Sequence, residues 1–489
     1  MSRVVIVGAG PTGLWLGSEL ALAGVDVTLI EQRTERNPAA RAFTNHPRTL
    51  ELWASRGIVD RFLEAGHTVP HSHFGLLDDR LDFHDLDTRF PHVLILEQPR
   101  IEEILEEYAL GLGVDIRFGH AFTGLTQRPD SVVVSVSGPG GEYELEGDYL
   151  VGCDGSRSPV RAAAGIGASG TESTGVSWIA EAVLDDPPEV NYYSAHSPAG
   201  NLLIVDVGNG RHRIGGFDAR PGDQDDSAVE FTLAEMAEKA TAVAGTDFGL
   251  RETFWRSRDI SATRLADTYR AGRVLLAGDS AHRIFPAGGR GLNTGMHDAH
   301  NLGWKLAATM NGWAPDDLLD SYHEERHPVG AAVMRFTRAQ MPLMTQFTPQ
   351  IAALREVLSE MIARVPELNR ILSENTSGLD VVYPPKAPDA HPLTGRRAPD
   401  LTFGDGTSLL GLVSTPARYL LLDLASHPLD VDEAAPVVVH SGTAEGDRPD
   451  WRNVTAALIR PDGHVAWATE ETGEARQAAA EAALKTIRR

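Results

Sequence analysis

Gly8-Ala9-Gly10-Pro11-Thr12-Gly13 follows directly on the apolar run Val4-Val5-Ile6-Val7. Small residues at that spacing permit a tight turn, close approach of the backbone to a pyrophosphate, and close packing of the helix that follows. The N-terminus of that helix then offers unpaired N–H groups to phosphate oxygens. Asp26 to Ile30 reads as the next strand. Glu31 stands at its end, eighteen residues beyond Gly13, close to the ~20 expected for a carboxylate that accepts hydrogen bonds from an adenosine ribose. Gln32 and Arg33 adjoin it and are assigned to the same site. A bare GxGxxG says little, but a strand, glycine turn, helix and acidic strand end in succession define a dinucleotide site.

Flavin and nicotinamide dinucleotides share that fingerprint, so the choice between them comes from elsewhere. In Gly272-Arg273-Val274-Leu275-Leu276-Ala277-Gly278-Asp279 a buried strand delivers a carboxylate at its C-terminal edge, where it can hold a ribityl hydroxyl. Pro286-Ala287-Gly288-Gly289-Arg290-Gly291-Leu292-Asn293 then opens a helix running through Asp298, Asn301 and Trp304. Backbone N–H groups and the positive end of that helix, set near the pyrimidine edge of an isoalloxazine, would favour a reduced flavin anion. A third segment, Tyr149 to Arg161, is a strand ending in Asp154-Gly155 with Pro159 suited to the first turn of a helix.

Taken together, the three segments resemble the class A flavoprotein monooxygenases, the family of para-hydroxybenzoate hydroxylase, and within it the aromatic polyketide hydroxylase and rifampicin monooxygenase branch. The resemblance extends to Arg41, to Arg48 within His46-Pro47-Arg48-Thr49-Leu50-Glu51, to Gln98, and to Tyr322 through Pro328. It implies FAD as cofactor and NADPH or NADH as reductant. It also implies that Glu31 and Arg41 serve the adenosine and pyrophosphate side, that Gln98 serves the ribityl region and Asp279 the ribityl or pyrophosphate, and that Pro286, Gly289, Gly291, Leu292 and Asn293 flank the isoalloxazine. Asp154 and Gly155 are tied in the family to both FAD and NAD(P)H. Where the branch commonly carries glutamine and methionine, this chain has Arg290 and Leu292, a change that backbone contacts tolerate but that could alter flavin movement. The implied reaction is hydroxylation of an aromatic polyketide-like molecule by O2 through a flavin C4a-hydroperoxide. No protein nucleophile is required, and a base assisting a phenol is not identifiable. Baeyer–Villiger insertion and rifampicin-type inactivation use the same scaffold and stay open, as does a non-catalytic flavin- or drug-binding role. A halogenase is disfavoured because its Trp-x-Trp-x-Ile-Pro signature is missing.

Other residues call for plainer readings. The 18 histidines are scattered without metal-ligand spacing, so no metal site is expected. His282 reads as a packing or capping residue beside the flavin loop. No G-x-S-x-G elbow supports an α/β-hydrolase. Glu102, Glu103, Glu106 and Glu107 read as a solvated helix face.

The elements that must position these groups follow from patterning along the 489 residues, too many for one ordinary core. The expectation is an α/β protein, a Rossmann-like FAD-binding domain with an inserted β-sheet substrate domain and a C-terminal thioredoxin-like domain. Residues 1–167 and 265–330 are assigned to the FAD domain, with 73–97 contributing to the substrate domain, and 168–264 to the substrate sheet. Residues 331–382 read as helical, 383–395 as a turn-rich linker, and 396–489 as the tail, which lacks the cysteine pair of true thioredoxins and so reads as structural. Strands are predicted at Val132–Val136, Tyr149–Val151 and Val274–Ala277. A net charge of −24 repels nucleic acid and anionic membranes. Cys153 is the only cysteine, which excludes internal disulfides and fits a cytoplasmic protein. With Val4 so near Met1 there is no room for a leader peptide, and no apolar run approaches a bilayer span. The expected partners are O2 and a small aromatic substrate, and a homodimer is left open.

Overall fold

The computed structural model describes residues 3–37, 42–172, 176–218, 231–260, 262–315, 317–416, 418–431, 436–446 and 448–487. Its central sheet has six strands in the order Arg270–Ala271, Val274–Leu276, Tyr149–Gly152, Arg3–Val7, Asp26–Glu31 and Asp115–Phe118. All pairs are parallel except the first, an antiparallel edge. Strands of Val, Leu and Ile buried on both faces, such as Val4, Val5 and Ile6, are what such a sheet demands. The helix Pro11–Leu22 begins with proline in its first turn and is buried almost all round, because it lies between the sheet and the helices Gln98–Gly111 and Arg290–Met310. A Cβ on Gly303 would come 2.7 Å from Glu19 Cβ, so that glycine is what lets the two helices approach. Glu19 is itself fully buried, its charge met by two 2.8 Å bonds from Arg56.

The predicted strand at Val132–Val136 exists, as Val132–Gly138, but belongs to a separate three-stranded antiparallel sheet with Ala121–Gln127 and Gly141–Gly147. Its valine-rich run marks it as a strand without saying which sheet takes it.

A five-stranded antiparallel sheet follows, in the order Tyr192–Ser197, Gly200–Gly208, Arg211–Phe217, Val176–Leu184 and Leu250–Ile260. The turn Asn209-Gly210 joins Gly200–Gly208 to Arg211–Phe217 as a hairpin, with φ of 55° and 71° at its two residues. One face of the sheet, carrying Trp178, Ala180, Ile204 and Ile214, is covered by the helix Leu233–Ala244. That helix was not anticipated within a region read as β-like, although Thr232 and Glu235 form a capping box that signals its start. The opposite face packs Leu203, Val205 and Tyr192 onto Val69, Leu81, Phe83, Val93 and Ile95.

Three helices, Ser321–Thr345, Pro349–Arg364 and Pro366–Ser377, come next, and the first runs unbroken past residue 330. The tail forms a four-stranded sheet, Val437–Ser441, Tyr419–Asp423, Ala456–Ile459 and Val465–Thr469, with the helix Gly473–Ile487 packed on it. Its buried contact with the helix Arg290–Met310 is both apolar, with Trp304 edge-on to Tyr419 at 5.7 Å, and polar. Trp304 Nε1 donates to Asp462 at 3.1 Å, and Glu325 receives Lys305 at 2.7 Å and both Arg460 amino groups at 2.8 Å. Among the described residues no helix is long and apolar enough to cross a membrane.

Candidate active site

Each glycine of the N-terminal turn has its own reason to be there. Gly8 has φ 108°, and a Cβ on it would lie 2.3 Å from the Cys153 carbonyl oxygen; one on Gly13 would lie 2.0 Å from the Gly8 oxygen. Gly10 meets nothing within 4 Å, so its missing side chain leaves open space where a pyrophosphate would lie. Glu31 is buried, its two carboxylate oxygens accepting from the Ala9 and Arg33 amides at 3.0 Å. The Glu31 carboxylate is thus tied to the glycine turn itself.

The Asp154-Gly155 segment faces the same space. Asp154 Oδ2 accepts from the Val160 amide at 2.9 Å, capping a short helix that starts at Pro159, while Oδ1 is buried with no hydrogen-bond partner. Burial raises the pKa of this carboxyl. An acceptor desolvated in this way calls for a ligand donor, and ligand hydroxyls would supply one.

On the far strand end, Gly278 and Gly295 crowd Thr12, to whose Oγ1 their Cβ atoms would come within 2.7 and 2.5 Å. Asp298 accepts from the Gly278 amide at 3.2 Å, from His282 Nε2 at 2.5 Å and from Arg326 Nε at 2.7 Å. His282 therefore packs and bonds under the loop, as its sequence position suggested. The Arg326 and His282 contacts hold the Asp298 carboxyl below its ordinary pKa despite complete burial.

These segments line one cavity of about 980 Å³, at the upper end of the ~300–1,000 Å³ range of small-molecule sites. It takes in Gly8, Gly10, Pro11, Thr12, Glu31, Gln32, Arg33, Gln98, Asp154, Gly155, Asp279, Pro286, Gly289, Gly291 and Leu292. Gly13 and Gly278 do not line it and act through packing. Asn293, expected beside the isoalloxazine, is buried behind the loop instead. Its amide donates to Thr44 and Gly289 carbonyls at 2.9 and 2.8 Å, and its oxygen accepts from the His46 amide and Thr49 hydroxyl at 2.8 and 2.7 Å. With all four bonds made within the protein, Asn293 fastens the loop rather than facing the cavity. Arg41 lies outside the described residues. Arg290 is turned into the fold and donates to the Asn375 carbonyl, and burial lowers its pKa to about 10. Glu102, read as solvated, is buried on the cavity wall and accepts from Gln98 at 2.7 Å.

Beyond the Pro286 loop the cavity continues onto the inner face of the five-stranded sheet. Phe217 stacks on Phe285 at 5.6 Å, with Leu76 and Met344 beside them. Arg213 sits in the same wall, buried between Trp255 and Phe43, donating to Glu97 at 2.8 Å with Glu181 at 3.5 Å. Burial and the neighbouring Glu181 raise the Glu97 carboxyl to about 7. Sequence motifs reach none of these wall residues. The usable signals were the β-like piece Arg211–Gly216 and the segment His73–Phe83, which mark regions rather than single residues. Among the described residues no cluster of three or more His, Cys, Asp or Glu side chains is placed to hold a metal.

Against known proteins, residues 1–337 match the FAD binding domain family and residues 391–488 the C-terminal domain of aromatic-ring hydroxylases. The chain belongs to this FAD-binding family, the class A flavoprotein monooxygenases. It is 42% identical to a 12-dehydrotetracycline 5-monooxygenase/anhydrotetracycline 6-monooxygenase of Streptomyces rimosus, over 96% of both chains. It is 40% identical to a rifampicin monooxygenase of Streptomyces venezuelae, over 97% of both. The solved anhydrotetracycline hydroxylase of Streptomyces rimosus superposes with a TM-score of 0.88 at 40% identity, covering 99% of each chain.

Proposed function

We propose that this protein is an FAD-dependent, NAD(P)H-consuming monooxygenase that hydroxylates an aromatic polyketide-like molecule. The observation that carries this reading is the continuity of one cavity from the glycine turn to an aromatic wall. A flavin held by the first half would present its reactive ring to a flat, apolar ligand held by the second. When bound, FAD supplies hydride acceptance from NAD(P)H and activation of O2 for transfer of one oxygen atom to an electron-rich carbon.

The chain's own task is position and electrostatics. Glu31, with Gln32 and Arg33, would hold the adenosine side, Asp154, Gly155, Gln98 and Asp279 the middle, and Pro286 with the backbone of Gly289, Gly291 and Leu292 the isoalloxazine. The N-terminal end of the helix Arg290–Met310 adds partial positive charge beside that ring. Residues 168–264 with 73–97 act as the substrate domain, and Phe217, Phe285, Leu76 and Met344 exclude water from the reacting carbon. The tail, residues 396–489, is a thioredoxin-like domain in a structural role, since it contains no cysteine.

The test is purification with FAD, followed by NADPH and NADH oxidation and O2 uptake with anhydrotetracycline and rifampicin as probes. Ligand-stimulated oxidation with a product heavier by one oxygen is expected, and carbon connectivity separates hydroxylation from Baeyer–Villiger insertion. FAD binding without stimulated turnover on any polycyclic phenol would sink the reading.

A further inference from the structure

The turn at residues 73–76 is held more tightly than its place in a loop requires. Leu76 has φ 54°, a left-handed conformation that costs a non-glycine residue roughly 1–2 kcal/mol, and it follows Gly75 at φ 59°. All four backbone polar groups of the two residues are bonded by side chains. Gln340 accepts from the Gly75 amide at 2.8 Å, and Arg355 donates to the Gly75 and Leu76 carbonyls at 2.8 and 2.5 Å. His73 Nδ1 accepts from the Leu76 amide at 3.1 Å. Gln340 and Arg355 are both buried, on the helices Ser321–Thr345 and Pro349–Arg364.

That last bond fixes the histidine's chemistry. Because Nδ1 accepts, the neutral ring must carry its proton on Nε2. Among the described residues the Leu76 amide is the one hydrogen-bond partner of the His73 ring, which leaves Nε2 for a ligand, and His73 lines the cavity beside Leu76 and Tyr192. Leu76, thrown into its strained conformation, packs against Phe217, Phe285 and Met344, the wall beyond the flavin loop. Burial, with Arg80, His46 and Arg355 nearby, holds the His73 pKa at about 3, so the ring stays neutral at working pH.

We infer that His73 is a specificity-determining residue, its Nε2–H donating to a carbonyl or phenolic oxygen on the rim of a planar polycyclic substrate. The Gly75-Leu76 turn, clamped by Gln340 and Arg355, sets the direction of that donor, and Leu76 supplies the apolar surface against which the same ring system lies. Strain held at a cavity wall by buried side chains is where such preorganisation is expected. The inference rests on the monooxygenase reading and adds to it a named contact and the oxygen acceptor it selects.

Two substitutions separate the roles of the ring's nitrogens. His73→Asn keeps an acceptor near Nδ1 for the Leu76 amide but has no group at Nε2. His73→Gln carries a donor to the Nε2 position. The measurement is the dissociation constant of anhydrotetracycline on FAD-loaded protein, read from flavin absorbance without NAD(P)H, alongside FAD content and thermal midpoint. His73→Asn should weaken the probe roughly fivefold or more, as loss of one buried hydrogen bond would, with FAD content and melting unchanged, and His73→Gln should recover part of the loss. Unchanged affinity in His73→Asn overturns the inference while leaving the monooxygenase reading intact. A loss that tracks FAD release or a fall in melting temperature also overturns it, since the ring would then be only structural. Should the wild-type protein bind neither this probe nor any other polycyclic phenol, the monooxygenase reading fails and the inference falls with it.

Discussion

His282 and Asp298 meet at 2.5 Å, Nε2 to Oδ2, with both side chains completely shut off from solvent. The same carboxylate takes the Gly278 amide and the Arg326 guanidinium, so one buried charge joins the turn before Asp279 to two long helices. Asp298→Asn should leave Arg326 as an uncompensated buried charge, costing about 3–5 kcal/mol of stability. It should also loosen the Gly278-Asp279 turn. Chemical denaturation and FAD titration check both, and a variant that loses neither stability nor FAD affinity would show that the turn is held by something else.

The glycines offer a sharper separation of folding from binding. Gly10 has φ −76° and ψ 177°, which alanine adopts without strain, and its Cβ would enter open space. Gly10→Ala should therefore melt within a degree or two of the wild type in the FAD-free state yet bind FAD at least ~10-fold more weakly, because the methyl group occupies pyrophosphate space. Gly13→Ala drives its methyl into the Gly8 carbonyl and should destabilise the FAD-free protein by ~1–3 kcal/mol. Equal effects of the two substitutions on FAD-free melting would refute the division.

How much of this could be read in advance depends on the range of the interaction. The glycine-turn half of the cavity was legible because each part is local. Gly8 to Gly13, Glu31, Asp154-Gly155 and Asp279 sit at strand ends whose apolar runs announce them. Asn293 was misplaced because its sequence position beside the loop says nothing of Thr44, His46 and Thr49, partners more than 240 residues away that turn it inward. Glu102 was misread for the same reason: four acids within six residues look like one solvated face, yet helical rotation sends one of them to Gln98 and the cavity. The substrate wall was legible only as a region, since Phe217, Phe285 and Leu76 come together from three distant segments.

Glu97 gives a pH signature. Its pKa stands at about 7 in the folded protein against an ordinary 4.5, chiefly through burial and Glu181. Between those values the folded state keeps a proton that the unfolded chain has released, so stability falls as pH rises from about 4.5 to 7. Glu97→Gln should remove that part of the slope, on the order of 1 kcal/mol after allowance for partial solvent screening. Thermal midpoints of both proteins from pH 4.5 to 8 at constant ionic strength measure it, and parallel curves would refute the assignment.

The inner face of the five-stranded sheet should control which molecule is oxidised without touching the cofactor. Phe217 stacks on Phe285, one residue before Pro286, and Leu203 lies beside both the Phe217–Phe285 cluster and the Tyr192 cluster. Neither Phe217 nor Leu203 belongs to the glycine, Asp154 or Asp279 segments. Phe217→Ala removes a stacked ring worth ~3–5 kcal/mol when buried, and opens a cavity beside the reacting ring. FAD content should stay at the wild-type level, while coupling falls, so that more NAD(P)H is consumed per hydroxylated product as water reaches the site. Leu203→Phe, which narrows the same wall, should instead favour smaller ring systems in a panel that includes anhydrotetracycline. Product yield per NAD(P)H and FAD occupancy decide the matter together. Loss of FAD with unchanged coupling would mean that the sheet supports the cofactor, and that the substrate wall lies elsewhere.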